Sequence, residues 1–247
     1  MPAPDPTTID LRNWPGRVRR APRIVDGGYL MLGAITKSLR EARDRYCRPG
    51  MRVLDVGSED MPYYPEFAPV AASFEGADIV PGPYVDYVGP LEDLTAPDAS
   101  FDLVLATQVL EHVRNPQQAL RQIARVLAPG GHAFITTHGV YPFHPHPTDY
   151  WRWTQQGFVA LVEDVPELEL VELVPHRHTM SCLALLVATY VEMAATKARV
   201  APLGWPLIAL LNVAGPVGDR LVRRLQYPRT QTLVMNFLLV LRRRERA

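Results

Sequence analysis

The chain has 247 residues, 47% of them hydrophobic, and its 26 Lys+Arg balance 26 Asp+Glu for a formal net charge of zero. That length suits one sizeable α/β domain with an elaboration, and the neutral balance gives no global pull toward nucleic acid. Cys47 and Cys182 lie too far apart in sequence to form a zinc knuckle or redox motif, and without an apolar N-terminal run the default expectation is a cytoplasmic location.

Residues 1–27 are rich in Pro and Arg and read as an irregular arm. Arg12, Arg17, Arg19, Arg20 and Arg23 crowd it, while Arg242, Arg243, Arg244 and Arg246 close the chain. Such ends suit solvent, a phosphate or an anionic membrane surface. The pattern over 30–46 predicts a helix, and Pro49-Gly50 marks a turn. MRVLDVG, residues 51–57, predicts a short buried strand, and AASFEGADIV, residues 71–80, a second. PDASFDLVLATQ, residues 97–108, carries a third apolar run. An amphipathic helix is expected over 116–127, with Ala119, Leu120, Ile123 and Leu127 on one side and Pro129-Gly130-Gly131 stopping it. HAFITT, residues 132–137, predicts the next strand. This alternation argues an α/β fold: a mostly parallel sheet with helices on both faces. Ligands of such sheets bind at the C-terminal edge, near the switch in strand order.

A short helix is expected over 155–161, and strands over 168–174 and 232–241. Between those strands, residues 180–224 are very apolar. Neither run within them reaches the ~18 uninterrupted apolar residues of a spanning helix. Helices packed on the sheet, a homodimer face or a cover over an apolar substrate are the expected readings. The chain thus divides into a core, 28–176, a mostly helical insertion between the last two strands, 177–229, and a final strand with a basic tail, 230–247.

The chemistry-bearing residues gather at predicted strand ends. VLDVGS puts Asp55 and Gly57 where a strand becomes a turn, and a glycine there permits close backbone approach to a ligand. Asp78 ends the second strand, where an aspartate can take both ribose hydroxyls. Gln108, Glu111 and His112 follow the third. THGVYPFHPHPTDYWRWT, residues 137–154, follows the strand over 132–137 and therefore lies over the binding edge. His138, His144, His146 and Asp149 offer candidate bases, and an Asp hydrogen-bonded to a His would orient its ring. Tyr150, Trp151 and Trp153 can wall an apolar or planar substrate, and Arg152 can pair with a carboxylate or phosphate. The same residues also have structural uses: histidines can bond backbone in a Pro-stiffened loop, the Trp pair can plug the core, and Asp149 or Thr154 can cap the next helix. The His/Asp set could also ligate a metal, although its spacing matches no sharp motif.

VLDVGS, GADI, SFDLVLATQVLEHV, RVLAPGG and THG…DYWRWT together resemble the class I S-adenosylmethionine-dependent methyltransferases. With Pro62-Tyr63 after the glycine turn, they are most similar to the small-molecule, methyltransferase type 11-like branch. The resemblance covers about residues 50–165 and the sheet end near 232–241. It implies a Rossmann-like sheet and S-adenosyl-L-methionine as cofactor. It further implies Asp55, Gly57 and Ser58 at the cofactor's amino-acid end, Asp78 on the ribose with Ile79 beside the adenine, a backbone contact from Leu91, and Thr107 and Gln108 beneath the methionine portion. Two residues depart from the family pattern. Glu59 stands where a second glycine is usual, able either to pair with the cofactor's ammonium or to block the pocket. Pro90 stands where an aspartate often holds the adenine amine.

The implied reaction is methyl transfer, to oxygen before nitrogen or carbon, on a small, partly apolar or glycosylated acceptor. His138 is the leading base, ahead of His144, His146 and Asp149. Tyr29, His112, Tyr150, Trp151, Arg152 and Trp153 are the expected acceptor contacts, with the Arg-rich arm able to fold over the site. The alternatives are a non-catalytic binding or scaffold protein on the same sheet, and a protein that uses the cofactor's charge to orient a rearrangement.

Overall fold

The computed structural model describes residues 13–224 and 232–245. Arg12 and Arg246 of the basic ends, and residues 225–231 of the insertion and tail, lie outside them.

A one-turn helix α1 (Arg17–Arg20) leads into α2 (Tyr29–Tyr46), β1 (Met51–Val56), a short α3 (Tyr64–Phe67), β2 (Ala71–Asp78) and β3 (Tyr87–Val88). Then come β4 (Phe101–Thr107), α4 (Pro116–Val126), β5 (Leu127–His138), α5 (Gln155–Glu163) and β6 (Leu168–His176). Two long helices, α6 (Thr179–Lys197) and α7 (Ala201–Arg224), precede the last strand, β7 (Asn236–Arg243). The strands form one seven-stranded sheet in the order β3-β2-β1-β4-β5-β7-β6. All pairings from β3 to β5 are parallel, while β7 runs antiparallel to both β5 and β6. This is the Rossmann-like α/β sheet expected, with the helical insertion between its last two strands. The strand order reverses between β1 and β4, and the crevice above their C-terminal ends is the place for a ligand.

The central strands are buried on both faces, as parallel strands must be. β1 buries Val53, Leu54 and Val56, whose alternate side chains enter two separate cores. α2 places Met31, Ile35, Leu39 and Ala42 on one side at helical spacing, and these join the core that also takes Cys182 and Leu185 of α6. The opposite core is closed by Ala119, Leu120 and Ile123 of α4 and by Phe158 of α5. Local signals explain the helix starts. Asn115 accepts a hydrogen bond from the Gln118 N–H with Pro116 in the first turn, and Thr154 likewise accepts from the Gly157 N–H.

Two expectations need correcting. Leu127 is not the last residue of a helix but the first of β5, which therefore includes the Pro-Gly-Gly turn. The apolar stretch is also more continuous than its small and polar residues suggest. α6 has 19 residues and α7 has 24, and both are long and apolar enough to cross a membrane by length and composition. Pro206 and Pro216 lie inside α7 without ending it.

Candidate active site

A cleft of about 1120 Å³ opens along the C-terminal ends of β1, β2, β4 and β5. One side is built from the segments after β1, β2 and β3 and from the end of β4: Gly57, Glu59, Asp78, Ile79, Leu91, Thr107 and Gln108 all line it. The long loop after β5 supplies the other side, with His138, Tyr141, His144, His146 and Tyr150, joined by His112 from the turn after β4.

The turn after β1 is drawn tight under the cleft. Gly57 has φ +68°, and a Cβ there would come 2.4 Å from Val109 Cγ2. The N–H groups of Gly57 and Ser58 both donate to the Ala77 carbonyl, at 2.8 and 3.2 Å. Asp55 and Ser58 are fully buried below this turn, and neither the Asp55 carboxylate oxygens nor the Ser58 hydroxyl has a hydrogen-bond partner. Burial pushes the Asp55 carboxyl well above the ordinary carboxylate range, against the pull of Arg19.

Glu59 occupies the missing glycine's position with φ +41°, so the turn keeps a left-handed shape in spite of a Cβ. Its carboxylate does not fill the cleft. It turns to the rim and pairs with Arg19 of α1 at 2.6 Å, which brings the N-terminal arm to the cleft edge. Asp78 is fixed by two backbone donors, the N–H groups of Glu59 and Val80, each at 3.1 Å. Gln108 has φ +59°, and its amide donates to Thr136 Oγ1 and accepts from Asn236 Nδ2, which pins it to β5 and β7.

His138 ends β5, is 2% exposed, and stacks on Tyr141 with ring centroids 4.1 Å apart. The carboxylate beside its ring is that of Glu111. Glu111 Oε1 lies 3.2 Å from His138 Nε2, off the hydrogen-bond axis, while Oε2 accepts from Thr137 Oγ1 at 2.8 Å. Burial pushes Glu111 up to about 7. Burial also pushes His138 down to about 3, helped by Arg152 and the neighbouring histidines, so its ring is neutral at neutral pH. Its Nδ1 has no partner.

Asp149 instead takes both ends of the Arg152 guanidinium, at 2.6 and 2.7 Å, and this pairing holds its carboxyl down to about 2. Arg152 also donates to the carbonyls of Tyr141 and Pro142, so the pair braces the loop and lies off the cleft wall. Trp153 is packed between Trp151 and Phe158 against the core, while Trp151, whose indole donates to the Val113 carbonyl, stays exposed and off the cleft wall. Tyr29 packs into the α2 core and does not line the cleft. Backbone bonds explain the division: the N–H groups of Tyr150 and Trp151 donate to the Glu111 carbonyl, and that of Trp153 donates to the His138 carbonyl. They fasten the loop so that Tyr150 faces the cleft and the two indoles do not line it.

The His144 ring lies 5.4 Å from that of His146 and 5.8 Å from that of His112, whose Nδ1 meets the Thr148 carbonyl. Among the described residues, no three His, Cys, Asp or Glu side chains converge to hold a metal ion.

A family model described as a methyltransferase domain matches residues 26–178. The chain belongs to this methyltransferase-domain family. Curated relatives include the ubiquinone biosynthesis O-methyltransferases of Xanthomonas axonopodis pv. citri and Xanthomonas campestris pv. campestris. The first is 37% identical over 103 residues, 36% of this chain and 43% of the relative. The second is 35% identical over 108 residues, 38% of this chain and 45% of the relative. The methyltransferase chain described here thus matches less than half the length of either relative. Its fold is shared with the 4+2 cyclase SpnF (TM-score 0.56, 19% identity, 85% of this chain and 82% of that one). It is also shared with an S-adenosylmethionine-dependent methyltransferase from Mesorhizobium loti (TM-score 0.51, 17% identity, 87% of this chain and 100% of that one).

Proposed function

We propose that this methyltransferase-family protein uses S-adenosylmethionine to methylate a hydroxyl group on a small, partly apolar acceptor. The observation that carries the reading is the buried His138–Glu111 pair at the cleft end of β5. Relatives with matching segments are ubiquinone biosynthesis O-methyltransferases, and a wall of Tyr141, Tyr150 and imidazole rings suits a planar hydroxylated ring.

The residues present fit the cofactor. A fully buried carboxylate and hydroxyl without partners are costly unless a ligand satisfies them. Asp55 would face the cofactor's ammonium, with Ser58 beside it. Asp78, already aligned by two N–H groups, keeps lone pairs for ribose hydroxyls, and Ile79 and Leu91 offer apolar walls to the adenine. When bound, the cofactor supplies a methyl group on a sulfonium, a good leaving group.

What remains for the protein is to hold the acceptor in line and take its proton. His138 lines the cleft as a neutral imidazole with Nε2 beside the Glu111 carboxylate. The hydroxyl proton passes to the imidazole, and the charge that develops on the ring is met by the Glu111 carboxylate. An ionised Glu111 raises the basicity of His138; a protonated one does not. Turnover is therefore expected to rise with pH as Glu111 ionises around 7. Glu111→Gln should remove that inflection and lower the plateau, and a pH–rate profile that keeps it would exclude Glu111 from the proton path. Stability follows the opposite sense. The folded value lies above 4.5, so the stabilisation from this carboxyl is present at low pH and lost as pH rises through about 7.

Calorimetric titration of the protein with S-adenosylmethionine and with its demethylated product tests the reading as a whole. Micromolar binding of either is expected. No heat from either ligand would favour a binding or scaffold role for the sheet instead.

A further inference from the structure

The α6–α7 hairpin carries an apolar surface that the domain does not cover. On α7, Leu203, Leu207, Leu210, Val213, Val217 and Leu221 are 46–77% exposed and recur at helical spacing as a single stripe. On the adjoining α6, Leu183, Val187, Tyr190 and Met193 form a second exposed stripe. The inner faces are anchored: Cys182, Leu185 and Ile208 are buried, and Asn212 Nδ2 donates to the carbonyls of Ile24 and Asp26. One side of the pair is therefore committed to the protein and the other is bare. Two helices that crossed a bilayer could not keep that arrangement, but a hairpin lying in the interface could.

The charges choose the occupant. Between Thr179 and Thr196 the only ionisable charge is Glu192, and between Pro202 and Gly218 there is none. Glu192 is turned inward to the Gly27 N–H, and Asp219 accepts from the N–H groups of His178, Met180 and Ser181. Cations hold both ends of the hairpin: Arg177 and Arg220 with Arg223 at one, Lys197 and Arg199 at the other. A second copy mated through this face would set cationic ends near cationic ends with no free acid to meet them. An anionic bilayer meets both needs, apolar depth for the stripes and phosphates for the ends.

We infer that the outer face of α6–α7 docks flat on an anionic lipid surface. The docked hairpin holds the 24–28 segment, and Gly28 of that segment lines the cleft, so the membrane face and the cleft share one structural support. This inference stands apart from the transfer chemistry.

Vesicle co-sedimentation of the full chain tests it, using phosphatidylcholine vesicles with and without phosphatidylglycerol at low and high salt. Binding to the anionic vesicles is expected, weakened by salt. Leu207→Glu with Leu210→Glu should reduce it by roughly tenfold or more per substitution. Both side chains are exposed, so an unchanged Tm would show an intact fold. Lys197→Glu with Arg223→Glu, changed at the hairpin ends, should weaken binding to anionic vesicles and serves as the independent variant. No sedimentation with anionic vesicles, or sedimentation that neither double variant alters, would overturn the inference. So would light scattering that finds a stable dimer dissolved by the Leu207→Glu, Leu210→Glu protein, which would assign the face to a second copy.

Discussion

His138→Ala is expected to lower turnover by roughly 10²–10⁴-fold, the range of a lost general base, while cofactor affinity stays within about twofold. The split follows from position. His138 sits at the end of β5 on the acceptor side, whereas the residues that fit the cofactor come from the segments after β1, β2 and β3 and from the end of β4. The substitution leaves the loop fastened, because the bond from the Trp153 N–H goes to the His138 carbonyl and not to its ring. It does remove the stack on Tyr141, so Tyr141→Phe is the control that keeps a ring while removing only the hydroxyl. Single-turnover rates with a methylated acceptor as the readout, set beside calorimetric affinities, separate chemistry from binding. Unchanged turnover in His138→Ala would remove the imidazole from the mechanism. An equal loss of cofactor affinity would recast it as a packing residue.

The sheet and the cleft edge were legible because they are written locally. β1 reads from a run buried on both faces that ends in a glycine turn, and α4 reads from an Asn cap, a Pro and an apolar stripe. The cleft position of His138, His144, His146 and Tyr150 follows from their place after a central strand. The partner of His138 was not legible. Glu111 is distant in sequence, and nothing in TQVLEHV distinguishes a carboxylate aimed at β5 from one in solvent. Asp149, a candidate base, is taken by an arginine at i+3, a pairing that a loop of unknown shape conceals. The tryptophans stayed ambiguous for a related reason: alternation around Arg152 identifies two faces but not which one meets the core. Pro206 and Pro216 lie inside α7, yet packing against α6 carries the helix through them.

Asp55→Asn is expected to act in opposite directions on the free and the liganded protein. The folded carboxyl titrates well above 3.8, so its favourable contribution to stability is fully present below 3.8 and is lost as pH rises through the folded value. The wild-type chain holds a buried carboxyl with two unpartnered oxygens, a cost that the neutral amide lessens. Relief of about 1–2 kcal/mol corresponds to a rise in Tm of roughly 2–8 °C for a domain of this size. The same change removes the buried carboxyl proposed to meet the cofactor's ammonium. A charge-assisted hydrogen bond of that kind is worth about 1.5–3 kcal/mol, so affinity should fall by roughly 10–150-fold. Thermal melts with and without S-adenosylmethionine read both effects in one experiment: the variant should melt higher alone and gain less from ligand. A variant that melts lower and binds normally would make Asp55 a structural residue of the β1 turn. The opposed signs are what a carboxylate kept for a ligand demands, because a group serving only the fold would not be buried without a partner.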